Sequence, residues 1–343
     1  MSNKKWTLSA LASIGVLAGV GASLSVEAQT APAAAAAQVT ISIATLAPAG
    51  STWMNVFDAW NRELRRESAK INQPMRLQFF AGGVQGDEAE VIRKIRAGRL
   101  DGAAVTAVGL YQIHRPALVF QMPGMFRDYG RLDRARTQLN TEITQQMGTA
   151  GFELMGWADV GQARVFSQSP VSTPQQLAQQ RPWVWSDDRA MPAFYSVINA
   201  NPVRLGVPEV LSALQTNRIN TVITSPPVAV QLQWATRMTH MTNLPLYTTI
   251  GATVIGRNKF NSLTAQQQEL LRRIAANYHQ LARGSLRRAE SSALASLASR
   301  GITAVEVDGA GRAAWEAAFV TTRTRLTGQI ADAAYIQRVA AIQ

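Results

Sequence analysis

The chain has no cysteine. Disulfides and thiolate metal sites are therefore excluded, and stability has to come from burial. Its three histidines, His114, His240 and His279, lie too far apart for an H-x-x-x-H pattern, so no metal site and no cofactor is expected. There is no G-x-S-x-G elbow and no recognisable pair of catalytic carboxylates. No catalytic residues are assigned, and the chain does not read as an enzyme. Beyond the first 28 residues no apolar run reaches the 18 residues or so that a membrane helix needs. Blocks of like charge are missing too. The 34 Lys and Arg against 22 Asp and Glu give a net charge of +12, but the arginines stand singly or in pairs with acids between them. Arg65-Arg66, Arg272-Arg273 and Arg287-Arg288 are the pairs. With no interleaving of basic and aromatic residues, a nucleic-acid partner is excluded.

What is present suits an exported globular protein of about two domains: 343 residues, 47% hydrophobic and 16% charged. Residues 1–28 read as a secretory signal. Lys4 and Lys5 supply the positive start, Leu8 to Leu24 is apolar and small, and Val26-Glu27-Ala28 fits cleavage after Ala28. The expected location is the periplasm. Residues 29–38 are an Ala/Pro tether, expected to be disordered.

After the tether, strands and helices alternate, as in an α/β protein. Val39 to Thr45 reads as a strand, Trp53 to Ser68 as a helix capped by Ser51 or Thr52, and Pro74 to Phe80 as a strand. The glycine turn 82–86 leads into a helix over 87–97. Its spacing is not that of a phosphate-binding loop, and Asp87 and Glu88 already complement the helix dipole, so it reads as a tight turn. Leu118 to Phe126 is read as an apolar strand that breaks at Pro123-Gly124, and Arg131 to Thr149 as a helix. Thr264-Ala-Gln-Gln267 fits a capping box. The apolar positions after it predict a helix reaching Ser299, about 50 Å long, with Gly284 a candidate kink. A crossover to a second lobe is expected near residue 160.

The stretch Gln180 to Asp188 carries two of the chain's eight tryptophans one residue apart. Alternation along a strand puts Trp183 and Trp185 on one face and Val184 on the other. The strand runs into Ser186-Asp187-Asp188, a loop of the kind where ligands bind on α/β sheets. Two readings stay open: core aromatics, or the wall of a ligand cleft. Trp53, Tyr111, Trp157, Ser225 and Trp234 are further candidates for the cleft, each with core packing as its alternative.

The segments Phe80 to Ile92, Arg96 to Gly102, Met122-Pro-Gly-Met-Phe126 and Pro208 to Thr216 together resemble the DctP family, the periplasmic substrate-binding subunits of TRAP transporters. The resemblance covers residues 39 to about 300. It implies a two-lobed periplasmic binding protein fold, with hinge strands and a long helix spanning both lobes. Lobe 1 would hold residues 39–160 plus about 250–283, and lobe 2 residues 161–249 plus about 284–343. The implied partners are a small organic ligand and the membrane subunits of a TRAP transporter. In part of the family a periplasmic TPR-repeat protein works with the binding protein. Most members place a carboxylate-binding arginine where this chain has Trp183. An indole makes no bidentate ionic contact, so a ligand with apolar character is expected. The alternatives are a carboxylate or sulfonate binder with a relocated cation, for which Arg164 is the candidate ahead of Arg181, and a periplasmic sensor or interaction subunit.

Overall fold

The structure, a computed structural model, describes residues 37–126 and 128–342. The expected signal segment and residues 29–36 of the expected tether lie outside the described residues.

β1 (Val39–Thr45) buries Ile41 and Ile43. Ser51 then caps α1 (Thr52–Lys70) by accepting from the Met54 N–H at 3.2 Å, and Met54, Phe57, Trp60 and Leu64 form its buried stripe. β2 (Met75–Phe80), α2 (Glu88–Arg96), β3 (Gly102–Thr106) and α3 (Ala107–Tyr111) follow. The expected strand over Leu118 to Phe126 does not form. Arg115–Gln121 is a 3-10 helix with Pro at its start, and Ala117 to Gln121 are all buried. A short, mostly apolar run carries no period that separates a buried strand from a buried helix, and here the helix wins.

α4 (Tyr129–Thr149) leads into β4 (Phe152–Ser167), one 16-residue strand, where the sequence itself suggests two, Phe152 to Trp157 and Arg164 to Ser167. Its pairing with a later strand shifts register between Leu154 and Gly156 and again between Asp159 and Gly161. The glycines make the two bulges feasible. A Cβ on Gly161, at φ +124°, would lie 2.8 Å from the Cβ of Ser225, and one on Gly156 would lie 2.5 Å from the His279 ring. Thr173 and Gln176 form a reciprocal capping box on α5 (Pro174–Ala178). Next come β5 (Trp183–Trp185), α6 (Met191–Val197), β6 (Val203–Leu205), α7 (Val210–Gln215), β7 (Thr221–Thr224) and α8 (Pro226–Gln231). β8 (His240–Thr242) and β9 (Tyr247–Gly256) bring the chain back to the first sheet region. α9 (Arg257–Asn261), α10 (Ala265–Ser299), β10 (Thr303–Val305), α11 (Gly309–Leu326) and α12 (Ala333–Ala340) complete it.

Eight strands form a mixed sheet in the order β10-β8-β4-β9-β3-β1-β2, with β7 also on β4. β1 pairs with β2 and β3 in parallel, and β4 and β9 run antiparallel across the middle. β5 and β6 make a separate parallel pair. β4 and β9 thus belong to both ends of the sheet, as hinge strands do. α10 is a single helix of 35 residues, started by the expected Thr264/Gln267 box. Its Leu270, Leu271 and Ile274 share a core with α1, while Leu297 shares another with Trp183 and Trp234. The fold is two-lobed, and α10 spans both lobes. Ile336 and Val339 of α12 are buried in the cluster of Leu139 and Ile143 on α4. The apolar stripe of α12 needs a matching face, and α4 offers one. Arg338 adds contacts of 2.8 Å to both oxygens of Glu142.

Candidate ligand-binding cleft

Between the two ends of the sheet lies a cavity of about 160 Å³. Its walls come from the loop after β1, the ends of β3 and β7, the middle of β4, all of β5, and β9. This is the usual place for a ligand on an open α/β sheet, beyond the carboxyl ends of parallel strands.

Four of the eight expected cleft residues meet here: Trp53, Trp183, Trp185 and Trp234. Period-two alternation on β5 puts Trp183 and Trp185 on one face, with ring centroids 6.2 Å apart, and Val184 in a different core cluster. Trp234 meets Trp183 edge to face at 5.2 Å. The indole N–H groups are largely committed to the protein. Trp53 donates to the Asp159 carbonyl at 3.3 Å, Trp183 to the Leu205 carbonyl at 3.0 Å, and Trp185 to a carboxylate oxygen of Asp87 at 2.8 Å.

The other four stand elsewhere. Trp157 is a core residue; it donates to Asn140 at 3.1 Å and packs 5.8 Å from Phe120. Tyr111 packs against the same core. Ser225 donates to the Val160 carbonyl at 2.8 Å, behind the wall. Arg164 is not among the described lining residues, although its cross-strand partner Thr224 is. Its neighbours Ala163 and Val165 share a core with Ile223 and Tyr247. Its guanidinium lies in the field of Glu290 and Tyr129. Its Nε and one terminal nitrogen are buried without a hydrogen-bond partner among the described residues.

The lining holds three carboxyl groups that were not expected: Glu88, Asp159 and Asp188. Glu88 is 3% exposed. It accepts from the Thr106 N–H and hydroxyl at 2.8 Å each, and from the Gly109 N–H at 2.7 Å. Burial pushes its carboxyl up to about 8 despite those bonds, helped by the charge of Asp87. Asp188 accepts from the Ala190 and Met191 N–H groups at 2.7 and 3.1 Å, at the start of α6, and burial raises its carboxyl as well. Asp159 is held by Arg136 at 2.6 Å and Arg287 at 2.8 Å. Among the described residues, no Lys, Arg or His lines the cavity. In the sequence Glu88 looked like a helix-start residue and Asp188 like part of a loop. Nothing local marks either as buried, because their burial is set by strands far away in the chain.

Asp87 joins the two sides of the cleft. It caps α2 through one oxygen, 2.7 Å from the Glu88 N–H. The other oxygen accepts from Trp185 and, at 3.3 Å, from the Val207 N–H. The glycine turn before α2 is thereby fastened to β5 and to the loop after β6.

Among the described residues, no group of His, Asp or Glu is arranged to hold a metal ion. No helix among them is long and apolar enough to cross a membrane.

Comparison with solved structures finds the same fold at low identity. A TRAP periplasmic solute-binding protein from Citrobacter koseri, with bound D-glucuronate, matches with a TM-score of 0.79 at 22% identity, over 89% of this chain and 99% of that one. One from Pseudomonas putida F1, also with D-glucuronate, gives 0.81 at 21%, over 89% and 98%. One from Shewanella oneidensis with bound succinate gives 0.81 at 14%, over 89% and 99%. The comparison with curated proteins gave no match. The model of the bacterial extracellular solute-binding proteins, family 7 (DctP), matches residues 43–325, and the chain belongs to that family.

Proposed function

We propose that the chain is the periplasmic solute-binding subunit of a TRAP-type transporter, and that it captures a small organic ligand with a largely apolar body in the tryptophan-walled cavity. It would then deliver the ligand to the transporter's membrane subunits. The observation that carries this reading is the cavity lining. Trp53, Trp183, Trp185 and Trp234 converge on one space, and no basic side chain among the described residues lines it. The structural neighbours hold glucuronate and succinate, but a carboxylate clamp needs a guanidinium or ammonium group, and the described lining offers none. The relocated-cation alternative rests on Arg164, which is not among the described lining residues. A working lobe division would place residues 39–160 and about 250–283 in the first lobe with α12. Residues 161–249 and about 284–326 would form the second.

Native mass spectrometry of the purified mature protein, followed by denaturing extraction, tests the reading. A co-purified apolar or aromatic compound is expected. A di-acid or sugar acid would refute it. Trp183→Arg should weaken binding of the extracted compound by about tenfold or more, since it replaces a ring face by a desolvated charge. Unchanged affinity in a folded variant would move the site away from β5.

A further inference from the structure

Chain-wide, basic residues outnumber acidic ones by 34 to 22, yet among the described residues the cavity lining has three carboxyl groups and no Lys, Arg or His. Among those residues the shortage of cations is local to the cavity. The three acids are not equivalent. Asp159 is neutralised by Arg136 and Arg287. Asp188 spends itself on the start of α6 and has Arg204 in its field. Glu88 is different. The charged group that acts on it is another acid, Asp87. Its oxygen Oε2 accepts two hydrogen bonds and Oε1 only one, so a carboxylate acceptor position remains for a donor from the cavity.

The tryptophans add a second, independent preference. With the N–H groups of Trp53, Trp183 and Trp185 bonded to the protein, these rings offer a solute their faces and edges but not their donors. Aromatic faces are the negative part of the ring quadrupole and attract cations. A cavity of about 160 Å³ is close to the roughly 150 Å³ that accommodates benzene, so the solute has on the order of ten non-hydrogen atoms or fewer.

We infer that the solute is a cation, a compact amine or quaternary ammonium compound that sets its charge against the tryptophan faces and the Glu88 carboxylate. This rests on the reading of the cavity as the solute site, and it is the opposite charge from the solutes of the neighbours described above. It also entails a pH dependence. The elements packed against α2 are α3, β3 and β9, and none carries a charged residue; their titratable groups are Tyr111 and Tyr247. With its carboxyl pushed up to about 8 by burial, Glu88 gains its charge as pH rises through that value, and cation affinity rises with it.

The test is calorimetric titration of the full mature protein, stripped of carried-over solute, with four probes: tetramethylammonium, choline, the uncharged choline isostere 3,3-dimethylbutan-1-ol, and succinate. Choline is expected to bind about tenfold or more tighter than its isostere, with affinity climbing between pH 6.5 and 9. Glu88→Gln should remove both the preference and the climb. Should that variant fail to fold, Trp53→Leu, at a half-buried position, should cost choline several-fold more than the alcohol. Equal binding of choline and the alcohol overturns the charge assignment and leaves the apolar cavity standing. Succinate as the tightest probe overturns both. Failure of both ammonium probes at millimolar concentration overturns the inference, and retention of the alcohol in that case shows that the cavity itself is the binding site.

Discussion

Asp159→Ala should cost the protein about 3–5 kcal/mol of stability, measured by urea unfolding at neutral pH. The Asp159 side chain is fully buried. One of its oxygens takes Arg136 at 2.6 Å and the other takes Arg287 at 2.8 Å. Arg287 also grips both oxygens of Asp133 on α4 at 2.8 Å. Removing the carboxylate leaves the Arg136 guanidinium, 4% exposed, with no close buried counter-charge. The partly exposed Asp133, 3.8 Å away, is a weak substitute. A cut partner in a buried pair costs far more than the pair contributes when whole. The double variant Asp159→Leu with Arg136→Met should therefore recover much of the loss. If Asp159→Ala cost less than about 1 kcal/mol, the network would be solvated in solution and this account of the hinge would fail. The same variant should also weaken solute binding, because the Asp159 carbonyl orients Trp53 in the cavity wall.

The second large effect depends on pH. His279 is buried beneath the bulge at Gly156, with one ring nitrogen 2.7 Å from the Ala275 carbonyl and the other 2.9 Å from the Thr253 hydroxyl. Burial holds its imidazole down at about 4, against 6.5 when unfolded. The folded state therefore prefers the neutral ring. The stabilisation is complete above pH 6.5 and is lost as pH falls toward 4, since the unfolded chain takes up the proton first. The loss amounts to about 3 kcal/mol over that window. Unfolding measured from pH 7.5 to 4 should show this slope, and His279→Gln should flatten it. The difference between the two profiles isolates the histidine from the carboxyl groups that titrate nearby. Identical slopes would mean that the ring is hydrated and protonates freely.

Local signals in the sequence located most elements. The capping boxes at Thr173 and Thr264, the Ser51 cap and the alternation in β1 and β5 are short-range patterns, and the structure contains the elements they mark. The expected strand over Leu118 to Phe126 is not there, because a short apolar run carries no period and its first residues belong to the 3-10 helix Arg115–Gln121. Two strands were read where β4 is one, because Gly156 and Gly161 punctuate the sequence as a break would, while the pairing with β9 carries the strand through both bulges. The site was legible in part. The face shared by Trp183 and Trp185 follows from strand geometry, and Trp53 and Trp234 were in reach as large aromatics beside loops. Arg164 could be weighed only as a cation of unknown direction. Glu88 could not be found locally. A glutamate in the first turn of a helix is ordinary, and only the closing of β3 and α3 over it makes it a buried carboxyl.

The bond from Trp185 to Asp87 makes one side chain serve two ends. Its ring is a wall of the cavity, and its N–H fastens that wall to the glycine turn on the opposite side. A solute thick enough to push the ring outward must draw the N–H away from the carboxylate that holds it. Trp185 would therefore work as a gauge. A guest that fits leaves the fastening closed, and an oversized one unfastens the jaw that would have kept it.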